Sequence, residues 1–170
     1  MDAFEVGPEY SEMLDQVNRK LGFFGANQLT SLEVKTVWDF CKFELGWEPT
    51  TPSPWCAAFS IANNAVLDYL EDLDYYWNMG YGEEVELHAN MNCHIMQELL
   101  TYLESNNATD QVARLYSTHS RALQLFLVTL GVFNTDETLT RHNFAQQSTR
   151  QWKSGLIAPM ASNFIVIRFE

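Results

Sequence analysis

His119 is the side chain whose setting most directly suggests chemistry. It lies in VARLYSTHSRALQLFLVTL, residues 112–130. There a short β-like run, Val112 to Tyr116, reaches the small-residue turn Ser117-Thr118-His119-Ser120 and leaves as an apolar helix. The pattern puts His119 where a strand hands over to a helix N-terminus. In open α/β sheets, ligands bind outside the carboxyl ends of the strands, beside the first turn of the next helix. The free N–H groups and the positive dipole end at such a place favour phosphate and other anions. A histidine there can contact a phosphoryl group or move a proton. It could equally be a turn histidine that hydrogen-bonds backbone.

The other reactive side chains give less. Cys41, Cys56 and Cys93 have no CxxC spacing, which argues against zinc. His88 and His94 are spaced off a common helical face, so no metal is assigned. Asn107-Ala108-Thr109 is a glycosylation sequon in a polar loop, of use only in a secreted chain.

The elements that must position these residues fall into two styles. Residues up to about 105 read as mostly helical. Pro8 suits a first helical turn, Met13, Leu14, Val17 and Leu21 form an apolar stripe, and Gly22 can end the helix. Thr30-Ser31-Leu32-Glu33 is a capping box opening a helix through Val34, Val37, Trp38, Cys41 and Leu45, stopped near Gly46. Pro52 and Pro54 force an extended link. Ser60 to Met79 is helical, Gly80-Tyr81-Gly82 is a turn, and Met91 to Leu103 is another helix. Trp38, Trp55, Tyr75, Tyr76 and Trp77 are expected in the core of this region. After the polar break Ser105 to Asp110, the strand–His119–helix unit ends at Gly131, and residues 132–148 read as loop and short helix. Trp152 to Ile157 and Asn163 to Phe169 read as β, the second with clear alternation. Three strands this late cannot make a covered sheet of their own. The expectation is therefore the later part of a larger α/β protein.

Charge divides at the same place. The net charge is −12, but residues 1–110 hold 4 Lys+Arg against 19 Asp+Glu and residues 111–170 hold 6 against 3. The acidic half speaks against nucleic acid as partner. The basic half carries His119, as an anion site would need. No apolar run approaches the roughly 18 residues of a membrane span. The start MDAFEVGPEY is acidic and lacks the features of a signal peptide.

At this point several motifs become recognisable together. Ser53-Pro54-Trp55-Cys56-Ala57-Ala58-Phe59, the run Asp68-Tyr69-Leu70-Glu71-Asp72-Leu73-Asp74-Tyr75-Tyr76-Trp77 and Gly80-Tyr81-Gly82 resemble the multiple inositol polyphosphate phosphatases. That group lies in the second branch of the histidine phosphatases, with phytases and histidine acid phosphatases. Gly7-Pro8-Glu9, Cys41-Lys42-Phe43-Glu44, Leu115-Tyr116-Ser117-Thr118-His119-Ser120, Asn143-Phe144 and Arg150-Gln151-Trp152-Lys153-Ser154 continue the match in order, over nearly the whole chain.

The resemblance implies an α/β core with an inserted, mostly helical domain. Residues 1–108 are then the mostly helical region, and 109–170 the C-terminal, incomplete part of the α/β core. It implies hydrolysis of inositol polyphosphates or other small phosphomonoesters through a phosphohistidine intermediate, without metal or other cofactor. It also implies a secretory or extracellular setting and a Cys41–Cys56 disulfide; by the residues alone these could be two buried free thiols. Cys93 is left over. An exposed sheet edge could support a homo-oligomer.

Carried over by position, His119 matches the family's second, phosphate-contacting histidine. Two departures follow. Ser120 and Arg121 stand where the family places an acidic proton donor, and neither can serve, since serine holds its proton and arginine is always charged. Arg121 could contact phosphate instead, or face solvent. Arg150 and Lys153 could likewise reach substrate phosphates or serve as solvated surface. Second, the nucleophilic Arg-His-Gly motif occurs nowhere; the one Arg-His pair, Arg141-His142, is followed by Asn143. Without a covalent nucleophile the two-step route is lost, and this chain alone is expected to be close to inactive. The alternatives are a non-catalytic anion-binding protein and an interaction module.

Overall fold

The computed structural model describes residues 2–105, 112–134 and 137–169. The chain forms two compact units, Met1–Leu73 with Thr140–Ser148, and Asp74–Leu139 with Thr149–Glu170. The boundary expected at residue 108 lies outside the described residues.

The first unit holds α1 (Asp2–Glu5), α2 (Pro8–Leu21), α3 (Ser31–Trp47) and most of α4 (Ile61–Met79). Its helix ends follow local sequence chemistry. Pro8 occupies the first turn of α2, and Gly22 closes that helix at φ 82°, a left-handed conformation that glycine adopts without a Cβ penalty. Thr30 Oγ1 accepts the Glu33 N–H while the Glu33 carboxylate accepts that of Thr30, the expected reciprocal cap of α3. Those contacts hold the Glu33 carboxyl below its ordinary pKa. Buried Asn18 ties the α2–α3 link to α2: its amide donates to Leu14 O and Leu29 O and accepts from Leu29 N. Met13, Val17, Val34, Trp38, Leu67 and Leu70 form the apolar centre. Helix α3 continues through Gly46 to Trp47, and Pro54 opens a 3-10 turn, Pro54–Ala58, where an extended link was expected. That turn carries Cys56 to Cys41, and the two are disulfide-bonded. Trp55 is no core residue: it is exposed, stacked on Phe40 and bonded through Nε1 to Glu44.

The second unit holds the end of α4, then α5 (Val85–Met91), α6 (Cys93–Glu104), α7 (Ser120–Thr129) and α8 (Ser154–Ile157). Its centre is the fully buried Trp152, whose indole meets Tyr76 and Tyr81 edge-on at 6.0 and 5.7 Å. The Gly80-Tyr81-Gly82 turn exists because these rings come so close. A Cβ on Gly80 would lie 2.9 Å from Trp152 Cζ2, and one on Gly82 would lie 2.7 Å from Trp77 Cα. Burial pushes the Tyr81 phenol up, and its hydroxyl donates to Val132 O at 2.6 Å. Helices α5 and α7 are joined by Thr129 Oγ1 to Ala89 O, and Asn92 at the start of α6 donates to Ala122 O. Gly131, at φ 72°, closes α7.

The α/β expectation is overturned. The described residues form helices and turns and contain no strand. The three β readings fail for two reasons. Trp152 to Ile157 is a buried anchor followed by the helical turn α8, with Leu156 and Ile157 N–H bonded to Lys153 O. Val112 to Tyr116 and Asn163 to Phe169 follow no helical course, but neither is paired with a strand among the described residues, and a strand is defined by its ladder partner rather than by alternation alone. Leu115 is 95% exposed and Phe169 84%. With no sheet among the described residues, the proposed oligomer through a sheet edge has no element to form it.

Candidate functional site

Helix α7 builds the site from its first residue. It is ten residues long and apolar on its inner side through Leu125, Leu127 and Val128, which fix it in the second unit. His119 is its N-cap residue, with extended backbone (φ −107°, ψ 163°) and its carbonyl accepting the Leu123 N–H. The backbone thus begins the helix without using the imidazole. That ring is exposed and has no hydrogen-bond partner among the described residues. The reading of His119 as a turn histidine bonded to backbone therefore finds no support here. The first turn of α7 carries no acidic side chain and no side-chain cap, and the first N–H groups of a helix have no partner within it.

Arg121 stands two residues further on and is exposed. Its guanidinium lies 5.9 Å from the ring centroid of Tyr75 on α4. It makes no ion pair and no hydrogen bond among the described residues, unlike Arg114, which pairs with Glu98 at 3.1 Å. Arg150 and Lys153 flank Trp152; both are partly buried and already engaged within the molecule. Successive residues of α4 reach both groups: Tyr75 meets Arg121, and Tyr76 meets the indole between Arg150 and Lys153. Tyr75, expected in the core, is only partly buried and lies under Arg121, a contact between residues 46 positions apart that no local pattern reveals.

The remaining candidates separate from this place. Arg141 and His142 bond to each other at 2.8 Å in an exposed turn of the first unit. Asn143 holds that turn, its side-chain oxygen accepting from Thr140 N and from the Tyr69 hydroxyl. His88 is buried with Nδ1 2.9 Å from Gly80 O, and His94 is exposed. No cluster of three metal-ligating side chains occurs among the described residues. Cys93 is a free, exposed thiol. Asn107 lies outside the described residues. No helix is long and apolar enough to cross a membrane among them.

His119 and Arg121 thus belong to the N-cap and second helical positions of α7, and side chains of these two types at a helix N-terminus are suited to hold an anion with oxygen atoms. Residues 6–170 match the family model of the histidine phosphatase superfamily (branch 2), and the chain belongs to that family. It is similar to the multiple inositol polyphosphate phosphatase 1 of Drosophila melanogaster, 35% identical over 161 residues that cover 95% of this chain and 33% of that protein. The proteins of that name from Homo sapiens and Gallus gallus are 31% and 30% identical, over 100% of this chain and 36% and 39% of their own lengths. The chain thus spans about a third of the length of these relatives. No solved structure matches it.

Proposed function

We propose that the protein acts on small phosphomonoesters of the inositol polyphosphate type, and that this chain supplies phosphate contacts from His119 and Arg121, with Arg150 and Lys153 as outer contacts. The observation that carries this is the N-cap position of His119, an exposed imidazole uncommitted to backbone beside free helix N–H groups. Such donors would stabilise charge on a transferring phosphoryl group. The family route passes through a phosphohistidine, whose nucleophile motif Arg-His-Gly this chain does not contain. By itself it is therefore expected to bind without turnover. A secretory or extracellular setting, with Asn107 as a glycan acceptor, belongs to the same reading and is favoured by the Cys41–Cys56 disulfide.

The test measures orthophosphate release from inositol hexakisphosphate. The chain alone should give none above background. A longer form carrying an Arg-His-Gly segment should be active, and His119→Ala should lower its rate about 100-fold or more, the scale of removing one oriented donor from a developing anion. Unchanged turnover in that variant would remove His119 from the site. A second reading, anion binding without catalysis, is favoured by Arg121 standing where the family has an acid. It prevails if the longer form binds phosphate and remains inactive.

A further inference from the structure

We propose that Tyr75 is a positioning residue that holds the Arg121 guanidinium ready for a phosphate group, an inference that rests on the phosphate-contacting role given to Arg121 above. The two side chains come from different elements, α4 and α7, and meet at 5.9 Å between the guanidinium carbon and the ring centroid. A cation placed over an aromatic face is attracted by the ring quadrupole at that range. A guanidinium attracted to a ring by its charge need not spend its N–H groups on that contact, and the Arg121 side chain makes no hydrogen bond among the described residues. Those N–H groups are the donors that grip two oxygens of a phosphate at once.

The surroundings support this assignment. Arg121 has no carboxylate partner among the described residues, whereas Lys35, Lys42 and Arg114 are each neutralised by a glutamate. An exposed arginine with nothing to hold it would sample many rotamers and lose that freedom on binding. Tyr75 itself is partly buried, and the next residue, Tyr76, is locked against Trp152, so the ring is offered from a fixed piece of backbone. The ring therefore reduces the ordering that phosphate binding would otherwise require.

The experiment titrates the 170-residue chain with inorganic phosphate by calorimetry, for the parent and for Tyr75→Leu, Tyr75→Phe and Arg121→Gln, with circular dichroism to verify folding. Tyr75→Leu should weaken binding about two- to five-fold, the range of an exposed cation–π contact, and Tyr75→Phe should restore it because the ring is kept. Arg121→Gln should weaken it about ten-fold or more. Loss in Arg121→Gln with parent-like affinity in Tyr75→Leu overturns the role of Tyr75 and leaves that of Arg121 standing. Equal loss in Tyr75→Leu and Tyr75→Phe also overturns it, since a retained ring must rescue. Parent-like affinity in Arg121→Gln overturns both this inference and the reading beneath it. Should Tyr75→Leu unfold, the Arg121 Nε–H resonance decides: its shift and sharpness should follow the ring in Tyr75→Phe and collapse to those of a free arginine in Tyr75→Val.

Discussion

At the scale of single residues, neighbours decide what an ionisable group does. Glu5 is the clearest case. Burial pushes its carboxyl up, but hydrogen bonds from Lys35 Nζ and Ser31 Oγ, both at 2.8 Å, outweigh that and hold it below its ordinary value. Ser31 also bonds the hydroxyl of Tyr10, whose phenol burial pushes up. A carboxyl with a lowered folded pKa contributes stability that is present above its unfolded value and lost as pH falls through the folded one. Glu5→Gln should therefore cost about 1 kcal/mol at neutral pH, and the difference from the parent should shrink to nothing on the acid side of the carboxylate range. Urea melts at pH 7 and in acid measure both ends; a pH-independent gap would mean that packing, and not charge, sets the effect. His119 and Arg121 follow the opposite logic: neither side chain makes a hydrogen bond or an ion pair among the described residues, which would suit the binding role proposed for them.

At the scale of elements, close approach replaces propensity as the controlling factor. The turn after α4 was legible from its two glycines, but its purpose was not. Both lie against tryptophans, and the clashing atoms include backbone of Tyr76 and Trp77 that cannot rotate away. Gly82→Ala should destabilise the chain by about 2 kcal/mol or more, in the middle of the usual range for an overpacked core or beyond. Gly155→Ala, in α8 with nothing near its would-be Cβ, should be neutral or slightly stabilising because alanine favours helix. Thermal melts of the two variants compare them directly, and equal shifts would refute the packing account.

On the scale of the whole molecule, one covalent link and one charge pattern stand out. The disulfide closes residues 41 to 56, a sequence separation of 15, and joins α3 to the turn at Pro54–Ala58. Closing a loop of that size contributes about 3 kcal/mol in the chain-entropy account. Reduction, or Cys41→Ser with Cys56→Ser, should lower Tm by about 6 to 12 °C for a chain of this length. A melt unchanged by reductant would show that the first unit does not rely on the link. The charge is segregated, strongly acidic before residue 110 and mildly basic after it, and the basic part is the one with His119, Arg121, Arg150 and Lys153.

Much of this was already present in the chain as a string of residues. Helix starts and stops at Pro8, Gly22, Thr30-Glu33, Gly80 and Gly131 rest on interactions within a few residues, so local sequence is enough to place them. The standing of His119 at the start of α7 was legible in the same local way, from the small-residue turn and the apolar run after it, whereas the family and the Cys41–Cys56 pair were legible for a different reason, the ordered motifs. What failed was the β reading of 112–116, 152–157 and 163–169. Alternation describes one strand's faces, whereas a sheet depends on a partner distant in sequence, and among the described residues none is paired. Several side-chain contacts have the same non-local character. Tyr75 under Arg121, Trp152 against Tyr76 and Gly80, and Trp55 turned outward onto Phe40 join residues from separate elements, and only the packing of helices brings them together.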